Sequence, residues 1–542
     1  MIFRSLRELY INSINSFGNS VCSSFYDGEG ITYNEFARRT EELSATFVNA
    51  GLSAGDRIAL LSNNMPNWAV AYFAATVSGM VIVPILPEFS LEEVDRLITH
   101  SGAKALVASD KLYSKVSREV VDSMNLVVRS VNLGIISQKA TVQGTPKEPD
   151  AGDLAVIIYT SGTTSSPKGV MLSHGNLCNQ LDQVSILQPV YPDDVFLSIL
   201  PLAHTYECSL GMLLPFMCGS QVVYLDKAPT ASVLIPAMKK VRPTMMLSVP
   251  LIIEKIFKSK IKPQFTANRI LRIIYNTDRG RKMLHRIAGK RLKEIFGGRI
   301  RFFGVGGAKL DPRVEQFLLE ARFPYAIGYG LTETSPLLAG VNPSMVRWQS
   351  TGPMIHDVEA RLDNVNPATG EGEIVVKGPN IMMGYYKDPE ATAESFTPDG
   401  WFRTRDLGLF DADGYLYIKG RLSNMILGPS GENIYPEEIE SVINSHPLVN
   451  DSLVKTDVGG NLVAVVHFDR DELSGKYQAM REEVETRIEN LKKEVMQYVN
   501  SKVGRFSRIS SVEEEKEGFE KTPTQKIKRF LYNDREDKPK NE

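Results

Sequence analysis

The sequence predicts an α/β protein: a large N-terminal domain of parallel α/β subdomains with a small β-rich subdomain, followed by a small α+β C-terminal domain. Three observations predict it. Helix-length and strand-length segments alternate from Tyr33 to about Phe323, as they do where crossover helices cover parallel sheets. From Val358 the pattern turns to short strands between Gly and Pro turns, as in Glu371-Gly372-Glu373-Ile374-Val375-Val376-Lys377-Gly378. Past Arg421 it changes again, to a helix-period segment over 436–445, a strand over Leu462–Phe468 and a long charged helix within 477–503. At 542 residues the chain also exceeds the size at which a single core stops growing.

The elements follow in order. Residues 33–50 are amphipathic at helical spacing. Arg57-Ile58-Ala59-Leu60-Leu61 reads as a buried strand, 68–78 as a packed helix, and Met80-Val81-Ile82-Val83-Pro84-Ile85 as the next parallel strand. No charged residue occurs from Ile58 to Pro87. A membrane-spanning helix needs ~20 mainly apolar residues, whereas Asn63, Asn64, Pro66, Asn67, Gly79 and Pro84 cut this run into shorter pieces, so it is assigned to the core. Residues 220–224 form a β-branched strand, and the polar tail 533–542 is expected to be disordered.

Bulk properties narrow the class. A net charge of -2 excludes a globally basic nucleic-acid binder. It hides an asymmetry, because residues 255–301 hold 15 Lys/Arg against Asp278 and Glu294. Cys22, Cys178, Cys208 and Cys218 form no C-x-x-C pair and suit a reducing compartment. Neither they nor the seven scattered histidines have metal-ligand spacing. Charges at Arg4, Arg7 and Glu8 interrupt what a secretion signal would need as an apolar core. The expectation is a cytoplasmic protein.

The most informative stretch is Tyr159-Thr160-Ser161-Gly162-Thr163-Thr164-Ser165-Ser166-Pro167-Lys168-Gly169-Val170. Glycines let backbone N–H groups approach phosphate oxygens, the hydroxyls add donors, and Lys168 adds positive charge. A Walker loop would run Gly-x4-Gly-Lys-Ser/Thr into a helix, but here Val170-Met171-Leu172 reads as a strand, so the loop sits in a hairpin. Alone it would equally suit a surface turn.

It is not alone. Downstream come Gly328-Tyr329-Gly330-Leu331-Thr332-Glu333-Thr334, then Gly400-Trp401-Phe402-Arg403-Thr404-Arg405-Asp406. Gly420-Arg421-Leu422-Ser423-Asn424 follows, with Ser430-Gly431-Glu432-Asn433 and Lys521-Thr522-Pro523-Thr524-Gln525-Lys526-Ile527 after it. With the loop, and in this order, they resemble the acyl-adenylate-forming family of acyl-CoA synthetases, luciferases and peptide-synthetase adenylation domains. The resemblance implies activation of a carboxylate by ATP with pyrophosphate release, then transfer to a thiol. It implies that Thr160, Ser161, Gly162, Thr163, Thr164 and Lys168 hold the β- and γ-phosphates, that Thr332 donates to the α-phosphate, and that Glu333 ligates Mg²⁺. Tyr329, beside Gly330, stacks on adenine, with Gly306, Gly307 and Ala308 as the opposite wall. Asp406 accepts from the ribose hydroxyls and Arg421 reinforces it. In Pro201-Leu202-Ala203-His204-Thr205-Tyr206-Glu207, the His or aromatic, here His204, borders the acyl site, although a lone His on an apolar segment is more often a packing residue. Lys526 bridges carboxylate and α-phosphate, and the thiol arm of coenzyme A passes Gly431. The resemblance divides the chain into 1–422 and a mobile 423–542 that turns about Ser423 and carries Lys526. Arg405 and Gln525 stand where the family commonly has Gly, as does Ser165, and Ser423 where it often has Asp or Lys.

Val305-Gly306-Gly307-Ala308-Lys309-Leu310-Asp311 resembles the long-chain fatty acyl-CoA synthetase branch, making a long-chain fatty acid the expected substrate. An aryl acid, or an acyl carrier protein as acceptor, is the alternative within enzymes; a non-catalytic lipid- or nucleotide-binding relative is the alternative outside them. Residues 281–296 place Met283, Leu284, Ile287, Ala288, Leu292, Ile295 and Phe296 at helical spacing among basic residues. Such a helix suits peripheral contact with an anionic membrane at its inner face, but an apolar face packed on the core with a solvated basic face is the commoner arrangement of amphipathic helices. No nucleic-acid partner is expected, and a homodimer is left open.

Overall fold

A computed structural model describes residues 3–139, 142–160, 167–266, 268–428, 433–446, 448–470, 481–522 and 526–533. Two eight-stranded sheets dominate. The first runs Leu337–Gly340, Tyr325–Gly330, Phe302–Val305, Met245–Ser248, Val195–Ser198, Gln221–Tyr224, Val21–Phe25 and Ile31–Thr32, parallel except at its two ends. The second runs Gly384–Tyr385, Lys168–Ser173, Leu154–Thr160, Val81–Pro84, Arg57–Leu61, Ala103–Ala108, Leu126–Arg129 and Ile135–Gln138. Its middle is parallel and its edges antiparallel.

The charge-free stretch acquires its physical reason here. The helix Pro66–Thr76 is buried along its whole length and packs on Val21–Phe25 of the first sheet and on Arg57–Leu61 and Val81–Pro84 of the second. A helix covered on every side has no solvent face to carry charge. Pro66 at its first turn costs no hydrogen bond, and the helix starts two residues earlier than 68 for that reason. The preceding helix, Tyr33–Asn49, is capped by Thr32, whose hydroxyl accepts from the Glu35 N–H.

Past the two sheets, Glu359–Asp363, Gly372–Lys377, Phe402–Phe410 and Leu416–Arg421 form an antiparallel four-stranded sheet. The last unit pairs Val449–Thr456, Leu462–Phe468 and Ser511–Glu514. It buries Ile439, Ile443, Val466, Leu491 and Val495 in an apolar core separate from that of the sheets before it. Asn533 closes a short helix, Phe530–Asn533, instead of opening a disordered tail; 534–542 lie outside the described residues.

The basic helix differs from its expected reading. It spans Asp278–Ile295, and Ala288, Leu292 and the following Phe296 are buried against the body of the protein. Met283 and Ile287 point the other way, 52% and 48% exposed. Arg281 and His285 are spent on Glu320, which each reaches at 2.8–2.9 Å. Among the described residues no helix is long and apolar enough to cross a membrane.

Candidate active site

The hairpin expected around the phosphate loop is present: Leu154–Thr160 pairs antiparallel with Lys168–Ser173, Thr160 opposite Lys168. Ser161, Gly162, Thr163, Thr164 and Ser165 lie outside the described residues, as do Gly431 and Gln525. On the far side of Lys168–Ser173 runs the short strand Gly384–Tyr385, with Tyr385 opposite Val170. Tyr385 is the residue that sequence reasoning missed. Its hydroxyl donates to Glu333 Oε1 at 2.9 Å, and the Lys168 ammonium lies 4.9 Å from its ring centroid. Burial raises the Tyr385 hydroxyl, and the Glu333 charge raises it further, so it stays a donor at neutral pH.

Glu333 sits in a single 3₁₀ turn, Thr332–Thr334, directly after the strand Tyr325–Gly330. Gly330 permits the turn: a Cβ there would lie 1.8 Å from the Pro336 carbonyl oxygen. Thr332 and Glu333 remain half-buried, open on one side. In the same strand Tyr329 donates its hydroxyl to Asp406 Oδ2 at 2.8 Å. Arg421 meets the other Asp406 oxygen, Nε to Oδ1, at 3.0 Å. Register explains that pair, since Asp406 and Arg421 face one another on adjacent antiparallel strands. Burial pushes the Asp406 carboxyl up while Arg421 and Tyr329 pull it down; the carboxylate in turn raises the guanidinium. Arg405, beside Asp406, has φ +58°, a left-handed backbone that glycine adopts without strain.

Gly306 is buried and Gly307 and Ala308 are exposed, leaving an open shelf at the end of the strand Phe302–Val305. The Tyr206 ring fills the space beside it, 3.3 Å from where a Gly306 Cβ would stand. Tyr206 is the aromatic of the segment Pro201-Leu202-Ala203-His204-Thr205-Tyr206-Glu207. His204, two residues before it, is half-buried and has no side-chain hydrogen bond among the described residues. Burial, with the Lys526 charge, brings its pKa down to about 4, so the imidazole is neutral at pH 7.

Lys526 closes the site from the C-terminal unit. Its carbonyl accepts from the Thr522 N–H at 2.7 Å. Water reaches the side chain, yet protein surrounds it: burial lowers its pKa, Arg421 lowers it further, and Asp406 and Glu333 oppose. The side chain therefore occupies an open cleft between the two units. The structure thus gathers Lys526, Arg421, Asp406, Glu333 and His204 from segments far apart in sequence. Among the described residues no group of three metal-ligating side chains occurs, leaving Glu333 as a single carboxylate beside the phosphate hairpin.

Residues 12–386 match the family model described as AMP-binding enzyme. The chain belongs to the AMP-binding enzyme family. Relatives in this family include the peroxisomal long chain acyl-CoA synthetase 7 of Arabidopsis thaliana, 30% identical, with 81% of this chain and 68% of that protein covered. A long-chain-fatty-acid–CoA ligase of Salmonella typhimurium is 29% identical over 82% of this chain and 81% of its own, and a feruloyl-CoA synthase of an Amycolatopsis species is 30% identical with 78% and 79% covered. Among solved structures, ATP-bound MatB from Rhodopseudomonas palustris has a TM-score of 0.77 at 24% identity, covering 97% of this chain and 98% of that one. The fold is that of AMP-binding enzymes from end to end.

Proposed function

We propose that the protein is a long-chain fatty acid–CoA ligase. A fatty acid carboxylate oxygen attacks the α-phosphorus of ATP, the bond to pyrophosphate breaks, and acyl-AMP forms. The coenzyme A thiol then gives its proton to solvent, its sulfur attacks the acyl carbonyl, and AMP departs. The observation that carries this reading is the convergence of Lys526 and Arg421 on Asp406 and Glu333 in one cleft.

The chemistry needs that arrangement. An anionic nucleophile approaching a polyanion is repelled unless fixed positive charge and donors lie where the charge builds up. In this reading Lys526 neutralises the meeting anions, Lys168 and the hairpin hold the distal phosphates, and Thr332 donates to the α-phosphate. Tyr329 and the shelf at Gly307 and Ala308 clasp the adenine, and Asp406, kept in place by Arg421, takes the ribose. Neutral His204 borders the carboxylate without adding a charge. Glu333 is the residue that would hold Mg²⁺; one half-buried carboxylate suits an ion that takes its remaining oxygens from phosphates and water. When bound, that ion neutralises phosphate charge. Residues 423–542 turn about Ser423 between the two half-reactions, carrying Lys526 away and bringing Gly431 to the thiol arm.

The names of the Arabidopsis and Salmonella relatives support a long-chain acid and coenzyme A as acceptor. The feruloyl-CoA synthase, equally similar, favours an aryl acid as second reading. Such a long-chain substrate partitions into bilayers, and the reading includes peripheral contact with an anionic membrane. The surface suited to it is wider than 281–296. Ile270 and Ile273 on the helix Arg269–Tyr275 are 69% and 61% exposed, joining Met283 and Ile287, with Arg279, Arg286 and Lys290 exposed on the same outward face and in no ion pair among the described residues. Exposed apolar residues ringed by exposed cations fit acyl chains under anionic headgroups. The free cysteines fit a reducing, cytoplasmic setting. The test of function is ATP–pyrophosphate exchange over acids of increasing chain length, with ferulate included. Exchange peaking with long aliphatic acids is expected; exchange confined to ferulate would move the assignment to the aryl class, and none at all would defeat it.

A further inference from the structure

We propose that Tyr385 is a positioning residue that couples the phosphate-binding cation to the metal-binding carboxylate. Its hydroxyl fixes one oxygen of Glu333 at 2.9 Å, and its ring face holds the Lys168 ammonium at 4.9 Å from the centroid. The two opposite charges form no ion pair with one another, nor Lys168 with any other described residue; both are held by the same aromatic ring. Direct collapse of Lys168 onto Glu333 would neutralise the two groups the nucleotide needs. A phenol prevents this by offering a donor to the anion and a quadrupole to the cation.

The backbone around Tyr385 is built to keep it there. Its N–H donates to Thr392 Oγ1 at 2.9 Å, and Gly384 before it has φ +139°, with Thr392 side-chain atoms 2.7 to 3.0 Å from where a Cβ would stand. Only glycine fits that conformation and that approach. On either side, Met383 N–H donates to Met171 O at 2.9 Å and Tyr386 N–H to Gly169 O at 2.7 Å, while Met382 N–H donates to Glu333 O at 2.8 Å. One short segment thus ties the backbones of Glu333 and of the strand after the phosphate loop together. Tyr385 itself is 8% exposed, so its orientation is set by packing.

A partner that orients a metal-binding carboxylate typically changes metal affinity 10–100-fold when removed. The inference rests on the functional reading above, and the test separates the two. Mn²⁺, as a paramagnetic stand-in for Mg²⁺, is titrated into the full-length protein with ATP and followed by water-proton relaxation. ATP binding without metal and pyrophosphate exchange against Mg²⁺ concentration are measured alongside. Tyr385→Phe keeps the ring and loses the hydroxyl. It is expected to weaken Mn²⁺ about tenfold, to raise the Mg²⁺ needed for half-maximal exchange by a similar factor, and to leave metal-free ATP affinity unchanged. Tyr385→Leu loses the ring as well, and is expected to weaken metal-free ATP binding a further two- to fivefold or so, the range of one exposed cation–π contact. Parent-like Mn²⁺ affinity in Tyr385→Phe would overturn the inference while leaving the functional reading intact. Equal loss of metal and metal-free ATP binding in Tyr385→Phe, with a lowered Tm, would reduce Tyr385 to packing. A parent protein without exchange on any acid would remove the functional reading and this inference with it.

Discussion

Replacing Lys526 with Ala tests the site at its most charged point. In the cleft the ammonium is reached by water yet partly enclosed by protein, repelled by Arg421 and attracted by Asp406 and Glu333. The fixed charges around it hold the ammonium where the two substrate anions meet. A unit charge about 4 Å from another at an effective dielectric of ~20 is worth ~4 kcal/mol. Mutational losses of one preorganised donor fall at ~2.7–4 kcal/mol, or roughly 10²–10³ in rate. Adenylation by Lys526→Ala should fall by that factor in pyrophosphate exchange. Conversion of supplied acyl-AMP and coenzyme A to thioester should run at near the parent rate, because in the proposed domain turn the residue has by then left the cleft. The lowered pKa adds a pH signature. The protonated form is the active one, so parent adenylation declines as pH rises through a value below that of an ordinary lysine. That alkaline limb should vanish in Lys526→Ala. Normal adenylation in the variant would remove Lys526 from the site, and equal loss of both half-reactions would point to damage to the fold.

Glu207 is 1% exposed in the π-helix Glu207–Leu213, with Oε2 lacking a partner among the described residues. Burial raises its pKa to about 8. The unfolded chain therefore binds fewer protons than the folded one between about 4.5 and about 8, and stability falls as pH rises across that window, by roughly 3 kcal/mol at pH 7. Glu207→Gln should flatten that dependence and raise Tm at pH 8 but not at pH 5; parallel Tm–pH curves would refute it. Arg286→Gln with Lys290→Gln should weaken binding to phosphatidylserine vesicles roughly thirtyfold, at ~1 kcal/mol per charge, while turnover of a water-soluble short acid is unchanged. No vesicle binding by the parent would leave the exposed isoleucines as ordinary surface. Arg405→Gly should gain up to ~1 kcal/mol in urea unfolding by relieving the left-handed backbone; a loss would mean that the Arg405 side chain, not its φ, matters.

Much of the fold was legible because its signals are local. The absence of charge from Ile58 to Pro87 reports a helix sealed between two sheets, and the strand Leu462–Phe468 has the bounds its apolar run gives it. The basic helix shows the limit of periodicity. Spacing says which residues share a face, but Met283 and Ile287 were grouped with Leu292 although they stand opposite it. Only the neighbours of a helix decide which of its stripes is covered. At the site, Asp406 and Arg421 were legible through a motif order, whereas Tyr385 meets Glu333 across 52 residues and carries no signature of its own. Its function arises from strand pairing, which a single sequence does not print.

The contact between the two units bears on how the site can work in two steps. Several of the described contacts between the C-terminal unit and the rest are polar. Tyr435 donates to Glu371 at 2.7 Å, Lys258 donates to the Asn444 carbonyl at 3.0 Å, and Glu438 lies 3.7 Å from Lys419 and 4.0 Å from Lys309. Arg313 stacks over Tyr498 with its guanidinium carbon 5.4 Å from the ring centroid. Half-exposed ion pairs of this kind contribute ~0–1 kcal/mol each, and the apolar cores on the two sides stay separate. In the proposed domain turn, a hydrophobic interface would hold Lys526 in the cleft after adenylation. Polar contacts let a difference in bound ligand, worth a few kcal/mol, decide which of the proposed arrangements is populated, and predict that raised salt shifts the protein away from the arrangement described above rather than unfolding it.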